Sequence, residues 1–464
     1  MGALWLDPAE GERPILWARG RAVSVAELLD AVGRVAAALP AGTHLLNLCE
    51  RRDHFLAACC AALARGHSSL MPPSSAPDAI RDVEARFPGA YRCDDRIVAR
   101  AMGAPGGELP AHGASADGRF AVRARDGATA AGRGAIRVPL DHAVAIAFTS
   151  GTTGMPQAHV KRCGALLGSA QFNAARIREC LESRYGGARP WIVATVPPQH
   201  MYGAETTILL PLAADMAVHA AKPLFPADVA GALAEVPAPR VLVTTPMHLR
   251  ALVESRQRFP EIGVIVSATA PLDGSLARAA EQSLATTVLE MFGSTETCVV
   301  ATRLTAREES WSVYPGVTLT PGADGTTVDA PWFDAPTALQ DVIELEASGR
   351  FIVRGRNVDL VEVAGKRASL AELTRRLLAI AGVRDAVVFQ PDADGAGAVR
   401  RVAALVVAPD LDAETITARL TESVDPAFLP RPLVMVSALP RNELGKLARA
   451  ELLRLAAQRE PHGP

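Results

Sequence analysis

The chain has 464 residues, 49% of them hydrophobic and 21% charged, which is typical of a globular protein with more than one domain. Its 48 basic and 50 acidic residues nearly cancel, so overall charge gives no indication of binding to nucleic acid or to an anionic membrane. The seven cysteines include no Cys-x-x-Cys pair, and the sequence has no signal-like N-terminus and no apolar run of about 18 residues. We therefore expect a cytoplasmic protein with reduced thiols and no membrane span.

The first 136 residues predict alternating helices and strands. Ser24 and Glu27 form a capping-box pattern at the start of a helix that ends near Leu39. A buried strand is predicted at 45–48 and an apolar helix at 53–63, whereas the Gly/Ala-rich residues 101–136 predict loops. Such alternation favours an α/β fold with layered, mostly parallel sheets.

An apolar strand predicted at 143–148 ends in a loop of hydroxyl and glycine residues. The loop reads Thr149-Ser150-Gly151-Thr152-Thr153-Gly154-Met155-Pro156-Gln157. Main-chain N–H groups and hydroxyls around one concavity suit a polyphosphate, although an ordinary surface turn has a similar composition. The Gly-Lys-Ser/Thr ending of a Walker loop is absent.

A strand predicted at 191–196 leads into Pro197-Pro198-Gln199-His200-Met201-Tyr202-Gly203. Taken alone, a histidine in such a loop is more often an ordinary hydrogen-bonded residue than a substrate-binding one, and this holds for His200. No acidic residue lies between Val193 and Ala204. The ammonium group of a bound amino acid would therefore be buried here without a partner, which disfavours amino acids as substrates.

Three more predicted strands end in polar loops, and ligands bind at the carboxyl ends of parallel strands. These loops begin at Thr245, at Ser267-Ala268-Thr269-Ala270-Pro271-Leu272 and at Met291-Phe292-Gly293-Ser294-Thr295-Glu296. Glu296 offers a hard carboxylate oxygen and Thr295 a hydroxyl at this strand end. The alternative is a strand followed by a helix that Ser294 and Thr295 cap.

The remainder predicts a strand beginning near Asp341, a hairpin at 349–356 that ends with Arg356, and then a small α/β domain. That domain has a predicted helix at 370–380 and strands at 386–389 and 402–407. Near its end the sequence reads Pro440-Arg441-Asn442-Glu443-Leu444-Gly445-Lys446. Without further context these charged residues are ordinary surface charges.

The motifs at 149–156, 292–296 and 440–446 closely resemble those of the acyl-adenylate-forming superfamily. This superfamily comprises acyl- and aryl-CoA ligases, carrier-protein ligases, peptide-synthetase adenylation domains and luciferases. The resemblance covers essentially the whole chain. It implies an adenylation domain at 1–356, with subdomains roughly at 1–135, 136–300 and 301–356, a hinge near 356–359 and a small mobile α/β domain at 357–464.

The resemblance also implies roles for individual residues. The implied catalytic residues are Lys446, Glu296, Thr295 and His200, with Glu296 as the Mg²⁺ ligand. The implied ATP-binding residues are Thr149, Ser150, Gly151, Thr152, Thr153, Gly154, Ala268, Thr269, Ala270, Phe292, Gly293, Asp341 and Arg356. The implied substrate pocket contains His200, Tyr202, Gly203, Thr245, Ser267, Ala268 and Met291. Gly365 and Lys366 would serve thiol transfer, and Asp341 would accept the ribose hydroxyls.

The implied reaction uses ATP to convert a small carboxylic acid to acyl-AMP and then to a thioester of an acyl carrier protein or CoA. Ala268 stands where glycine is common, so we expect a compact acid of the hydroxybenzoate or hydroxycinnamate class. A medium-chain fatty acyl-CoA ligase and a nucleotide-binding protein without turnover are the alternatives. The sequence leaves open the acid, the thiol acceptor and the oligomeric state.

The sequence departs from the superfamily pattern at three positions. Gln157 stands where the superfamily commonly has a lysine, and Lys161 is a candidate substitute for it. Val358 stands at a position that is often charged, and Glu362 at one that is often lysine. Lys161 and the segments 47–49 and 365–370 look most like the small acyl- or aryl-carrier-protein ligases of bacterial aryl polyene and xanthomonadin-type pathways.

Overall fold

The computed structural model describes residues 2–72, 77–103, 134–149, 157–322, 325–356, 360–363, 366–391, 401–441, 447 and 449–457. The chain forms two compact units. Unit 1 comprises Met1–Arg307 and Trp332–Asp334, and unit 2 comprises Glu308–Pro331 and Ala335–Pro464. The predicted boundary at 356 lies inside unit 2, and the predicted hinge residues 357–359 lie outside the described residues. That boundary and hinge remain predictions.

The strands of unit 1 are β1 (Gly2–Leu6), β2 (Pro14–Ala18), β3 (Arg21–Ser24), β4 (His44–Asn47), β5 (Ser68–Met71), β6 (Ala90–Cys93), β7 (Ile136–Pro139), β8 (Ala143–Thr149), β9 (Gln157–Arg162), β10 (Trp191–Ala194), β11 (Ala217–His219), β12 (Arg240–Thr244), β13 (Val264–Ser267), β14 (Thr287–Ser294) and β15 (Cys298–Arg303). Its α-helices are α1 (Val25–Ala38), α2 (Arg52–Ala64), α3 (Pro77–Arg86), α4 (Asp95–Gly103), α5 (Cys163–Tyr185), α6 (Met201–Ala204), α7 (Leu210–Ala213), α8 (Pro226–Glu235), α9 (Pro246–Glu254) and α10 (Gly274–Leu284). A π-helical segment, Glu205–Leu209, joins α6 to α7.

Unit 1 contains two large sheets. One has the order β15-β14-β13-β12-β10-β11-β2-β3, in which the strands from β14 to β2 run parallel. The other has the order β6-β4-β5-β8-β9, parallel except for the final β8–β9 pair. The predicted layered, mostly parallel α/β architecture is confirmed.

Local sequence explains much of this arrangement. Ser24 and Glu27 make both hydrogen bonds of the predicted capping box at the start of α1. The central strands β10, β12 and β13 are largely apolar and buried, as is typical of strands inside a parallel sheet. Leu242 and Ile265, both fully buried, pack with residues of α8, α9 and α10 in one core.

Unit 2 consists of small sheets. Its strands are β16 (Ser312–Val313), β17 (Thr318–Gly322), β18 (Gly325–Asp329), β19 (Thr337–Leu339), β20 (Asp341–Leu345), β21 (Phe351–Arg356), β22 (Leu360–Val363), β23 (Lys366–Ser369), β24 (Asp385–Phe389), β25 (Ala403–Val407) and β26 (Leu433–Met435). Its α-helices are α11 (Leu370–Leu378), α12 (Ala413–Thr421) and α13 (Arg449–Ala457). The hairpin predicted within 349–356 is wrong, since β21 is a single strand that pairs antiparallel with β20.

The helices of the described residues contain none that is both long and apolar enough to cross a membrane.

Candidate active site

The predicted site residues of unit 1 lie where parallel strands end. Thr149 ends β8, Thr245 follows β12, Ser267 ends β13, and Glu296 follows β14. Ser150, Gly151, Thr152, Thr153 and Gly154 lie outside the described residues, so the structure fixes the phosphate loop only at its two ends.

Glu296 lies in a tight turn between β14 and β15. The Ser294 hydroxyl accepts hydrogen bonds from the main-chain N–H groups of Glu296 (3.1 Å) and Thr297 (3.3 Å). A Cβ atom on Gly293 would lie 2.1 Å from the Cys298 carbonyl oxygen, so the two strands approach too closely there for any side chain. The alternative prediction of a helix capped by Ser294 and Thr295 is wrong, because the chain returns as β15.

His159 connects the phosphate loop to this turn. Its Nε2 atom lies 3.0 Å from the Thr149 hydroxyl and 3.5 Å from Oε1 of Glu296. Burial lowers the pKa of His159, while the negative charge of Glu296 opposes that shift and Lys161 reinforces it. Sequence reasoning missed this histidine, because nothing in the spacing from 149 to 296 indicates the contact.

Lys161 lies beneath the turn. Its side chain is almost fully buried, and Nζ donates a hydrogen bond to the main-chain carbonyl of Glu296 at 2.6 Å. Gln157, at the predicted lysine position, is exposed at the start of β9. The ammonium group of Lys161 donates to the main chain of the Glu296 turn, so Lys161 is poorly placed to substitute for a phosphate-loop lysine.

The loop that carries His200 is fixed by Arg52, which the sequence did not indicate. The buried Arg52 guanidinium donates to the main-chain carbonyls of Ala194 (3.1 Å), Val196 (2.9 Å), His219 (2.8 Å) and Ala221 (2.5 Å). Burial lowers the pKa of Arg52 to about 10. Four carbonyl acceptors thus hold this cation at the ends of β10 and β11, from which the loop departs.

Three predicted substrate residues lie in or next to this loop. His200 is half-buried and precedes α6, whose first turn contains Tyr202 and Gly203. A Cβ atom on Gly203 would lie 1.9 Å from the Pro197 carbonyl oxygen, so α6 packs directly on the loop backbone. Gly203 therefore fixes the geometry of the loop.

Tyr202 lies under the strand ends. Its buried hydroxyl is 3.2 Å from the Thr244 carbonyl oxygen and 3.0 Å from that of Val266, and burial raises its pKa. Because this hydroxyl already bonds within the protein, we expect Tyr202 to shape the pocket rather than to donate to a substrate. By contrast, the buried Ser267 hydroxyl has no hydrogen-bond partner in the described part of the chain.

The remaining predicted pocket residues form the neighbouring strand ends. Thr245 caps α9 by accepting a hydrogen bond from the His248 N–H at 3.3 Å. Met291 is buried in β14, whereas Phe292 is half-buried beside it. Met291 and Thr245 are thus both buried, in or just after parallel strands of the large sheet.

The 268–272 loop is held by a buried carboxylate. Leu272 donates its N–H to Oε1 of Glu290 at 2.9 Å, and Oε2 accepts from Arg303 at 2.7 Å and Thr305 at 2.6 Å. Burial raises the pKa of Glu290, against the opposing effect of Arg303. Within this loop Ala268 is buried, Ala270 is exposed and Thr269 has a φ of +80°, which is rare for a β-branched residue.

Unit 2 carries the predicted ribose residues. Asp341 is buried at the start of β20, directly opposite Arg356 in the antiparallel register with β21. Gly365 and Lys446 lie outside the described residues, and of Lys366 the structure describes only its place at the start of β23. Arg441, at the beginning of the Lys446 motif, makes a two-bond ion pair with Asp385 (2.7 and 2.8 Å).

The sequence matches the AMP-binding enzyme family over residues 8–356, three quarters of its length. The chain belongs to this family. Its predicted superfamily and its predicted class, an AMP-forming acid–thiol ligase, are confirmed.

Relatives and solved structures agree with this assignment. The chain is 29% identical over 309 residues to a 4-coumarate–CoA ligase of Halorhodospira halophila, covering 64% of this chain and 73% of that protein. It is 27% identical over 347 residues to a probable 2-succinylbenzoate–CoA ligase of Mycobacterium tuberculosis, covering 69% and 87%. Its fold matches o-succinylbenzoate CoA synthetase of Bacillus subtilis, solved with its acyl-adenylate, at a TM-score of 0.75, 19% identity and 95% coverage of both chains.

The described residues include no cluster of three or more His, Cys, Asp or Glu side chains suited to a metal ion. Mg²⁺ commonly binds one or two carboxylates and completes its shell with water and substrate phosphates. The Glu296 side chain is 29% exposed, and its carboxylate and the Thr149 hydroxyl at the start of the phosphate loop both lie near Nε2 of His159. Glu296 therefore fits the needs of a phosphate-bound Mg²⁺ as a single protein ligand.

Proposed function

We propose that the protein uses ATP to adenylate a compact aromatic carboxylic acid and transfers the acyl group to a phosphopantetheine thiol. The observation that carries this proposal is the convergence on His159 of Thr149, which begins the phosphate loop, and Glu296, the candidate magnesium ligand. The family assignment supports ATP as the nucleotide.

The chemistry follows from the poor reactivity of a carboxylate. The acid attacks the α-phosphorus of ATP, pyrophosphate leaves, and acyl-AMP forms. The thiol sulfur then attacks the acyl carbon and AMP leaves, so the protein needs no nucleophile of its own. Bound magnesium would neutralise charge on the phosphates. Lys446 would stabilise the charge that builds on the α-phosphate, and the hydroxyls of the phosphate loop would hold the triphosphate.

The substrate class rests on the pocket residues. Glu205, the first acidic residue after His200, is committed to Ser169 (2.6 Å) and to the Val299 N–H (3.2 Å), so it is not available to an amino acid's ammonium group. The methyl group of Ala268 would narrow the acyl site and favour a flat ring over a flexible chain. The two curated relatives described above are named for aromatic acids.

The thiol acceptor is CoA or an acyl carrier protein. The relatives named as CoA ligases support CoA, and the likeness of 47–49, Lys161 and 365–370 to the small carrier-protein ligases supports a carrier protein.

The test is AMP release and thioester formation with ATP and magnesium, using 4-hydroxycinnamate, 4-hydroxybenzoate, octanoate and phenylalanine. Each acid is supplied with CoA or with a phosphopantetheinylated carrier protein. We expect AMP and thioester with the two hydroxyaryl acids only. Preference for octanoate would support the medium-chain alternative. ATP binding without AMP release from any acid would support a nucleotide-binding protein that has lost turnover, an alternative that the exposed Gln157 keeps open.

A further inference from the structure

One face of β9 points towards the turn that carries Glu296. Alternate residues of a strand share a face, so Gln157, His159 and Lys161 lie on the same side of β9. His159 contacts the Glu296 carboxylate, and Lys161 contacts the Glu296 main-chain carbonyl. This strand thus reaches both the side chain and the backbone of the candidate magnesium ligand.

The contact from Lys161 is buried and specific. Lys161 is 4% exposed, and its Nζ lies 2.6 Å from the Glu296 carbonyl oxygen, across 135 residues of sequence. A lysine this deeply buried costs free energy unless an anion and hydrogen bonds compensate it. The Glu296 carbonyl oxygen supplies one such hydrogen bond.

Glu205 is a second buried charged residue at this turn. It is 2% exposed, and the Coulombic effect of Lys161 on it opposes the rise in its pKa that burial causes. Its Oε2 accepts hydrogen bonds from the Ser169 hydroxyl at 2.6 Å and from the main-chain N–H of Val299 at 3.2 Å. Glu205 thereby holds the chain just beyond the turn.

The two side chains act on opposite ends of the same short segment. Lys161 donates to the carbonyl of Glu296, and Glu205 accepts from the N–H of Val299, three residues later. Between these two residues, Cys298 is buried with a φ of +62°, a conformation that only surrounding contacts would maintain.

We propose that Lys161 and Glu205 are positioning residues that clamp residues 296–299 and so direct the Glu296 carboxylate towards the magnesium of bound ATP. The proposal rests on the proposed function for the role of Glu296 but not for the clamp itself. In this proposal Lys161 does not take over the phosphate contact of the superfamily lysine that Gln157 replaces.

The test compares Lys161→Met with the double variant Lys161→Met/Glu205→Gln, using Lys222→Met as the matched control elsewhere in unit 1. Lys161→Met removes a positive charge that favours the ionised form of the buried Glu205 carboxylate, so we expect a lower melting temperature. The double variant removes both charges and should regain most of that loss. If Lys161 and Glu205 only stabilise the fold, the double variant should also regain activity. If they position Glu296, the double variant should stay impaired.

We expect the double variant to retain a kcat for ATP–pyrophosphate exchange about 10- to 100-fold below wild type, with a raised magnesium requirement. Amide hydrogen exchange in a peptide spanning 293–299 should also be faster than in wild type and in Lys222→Met. Wild-type exchange kinetics and wild-type protection of that peptide in the double variant would overturn the proposal.

The two proposals fail in different ways. A wild-type protein that exchanges pyrophosphate with no acid contradicts the proposed function. The clamp is then tested by amide hydrogen exchange alone. Faster exchange of residues 293–299 in the double variant than in wild type supports the clamp, and unchanged exchange overturns it.

Discussion

Asp341 and Arg356 face each other as directly paired residues of β20 and β21. They are 15 positions apart in sequence, yet the antiparallel register brings their backbones side by side. Asp341 is buried, and the Thr326 hydroxyl donates to its main-chain carbonyl at 2.6 Å. Two residues predicted to bind the ribose and the α-phosphate thus belong to one two-stranded ribbon.

Asp341→Ala should mainly weaken ATP binding. Ribose contacts are similar in the ground and transition states, so we expect KM for ATP to rise and kcat to change little. Hydrogen bonds to a charged group contribute about 1.5–3 kcal/mol, so the rise should be about tenfold or more. The control is Glu344→Ala, which removes an exposed carboxylate from the same strand. Unchanged KM for ATP in Asp341→Ala would remove Asp341 from the nucleotide site.

Glu296→Gln should lower turnover and raise the magnesium concentration needed for half-maximal activity. The amide keeps the shape of the side chain but binds Mg²⁺ more weakly than a carboxylate does. Magnesium titrations of pyrophosphate exchange measure this effect, with the exposed Glu254→Gln as the matched control. Equal magnesium dependence in both variants would contradict the metal role of Glu296.

Gly203→Ala should distort the loop that carries His200. The added Cβ would lie 1.9 Å from the Pro197 carbonyl oxygen, and such overpacking typically costs about 1–3 kcal/mol. Gly231→Ala is the matched control, because its added methyl meets nothing within 4 Å in the exposed part of α8. We expect the control to gain about 0.5–1 kcal/mol. Denaturant unfolding of both variants gives the comparison, and equal shifts would show that α6 does not pack on this loop.

Lys446→Ala and Gly365→Leu should separate the two half-reactions. Lys446 has the charge to neutralise the α-phosphate, whereas a glycine permits close approach of a narrow thiol arm. Lys446→Ala should therefore lose pyrophosphate exchange yet still transfer acyl groups from supplied acyl-AMP, and Gly365→Leu should do the reverse. Equal loss of both steps in both variants would favour a single fixed site over a domain that rotates between steps.

Local features could be predicted from the sequence. The capping box of Ser24 and Glu27 depends on residues three apart, and the strand that ends at Ser267 follows from a short β-branched run. The hairpin predicted within 349–356 is wrong because residues of β21 pair with the preceding strand β20 and not with one another.

Contacts between distant segments could not be predicted in this way. The hydrogen bond from Lys161 to Glu296 spans 135 residues, and Arg52 reaches carbonyls 142 to 169 residues away. Spacing along the chain carries no information about such contacts, since sheet order and register decide them. The sequence pointed to Glu296 through a motif, but the contacts of Glu296 with His159 and Lys161 emerged only with the fold.

The measurement that tests the central claim most directly is ATP–pyrophosphate exchange by the wild-type protein without any thiol acceptor. Hydroxycinnamate, hydroxybenzoate and C12 to C16 fatty acids are compared at equal concentration in the presence of magnesium. We predict the fastest exchange with a hydroxyaryl acid, with modest differences among related aryl acids, since one methylene changes discrimination by only about 1–3 kcal/mol. Fastest exchange with a C12 to C16 fatty acid, or no exchange with any carboxylic acid, would contradict the account.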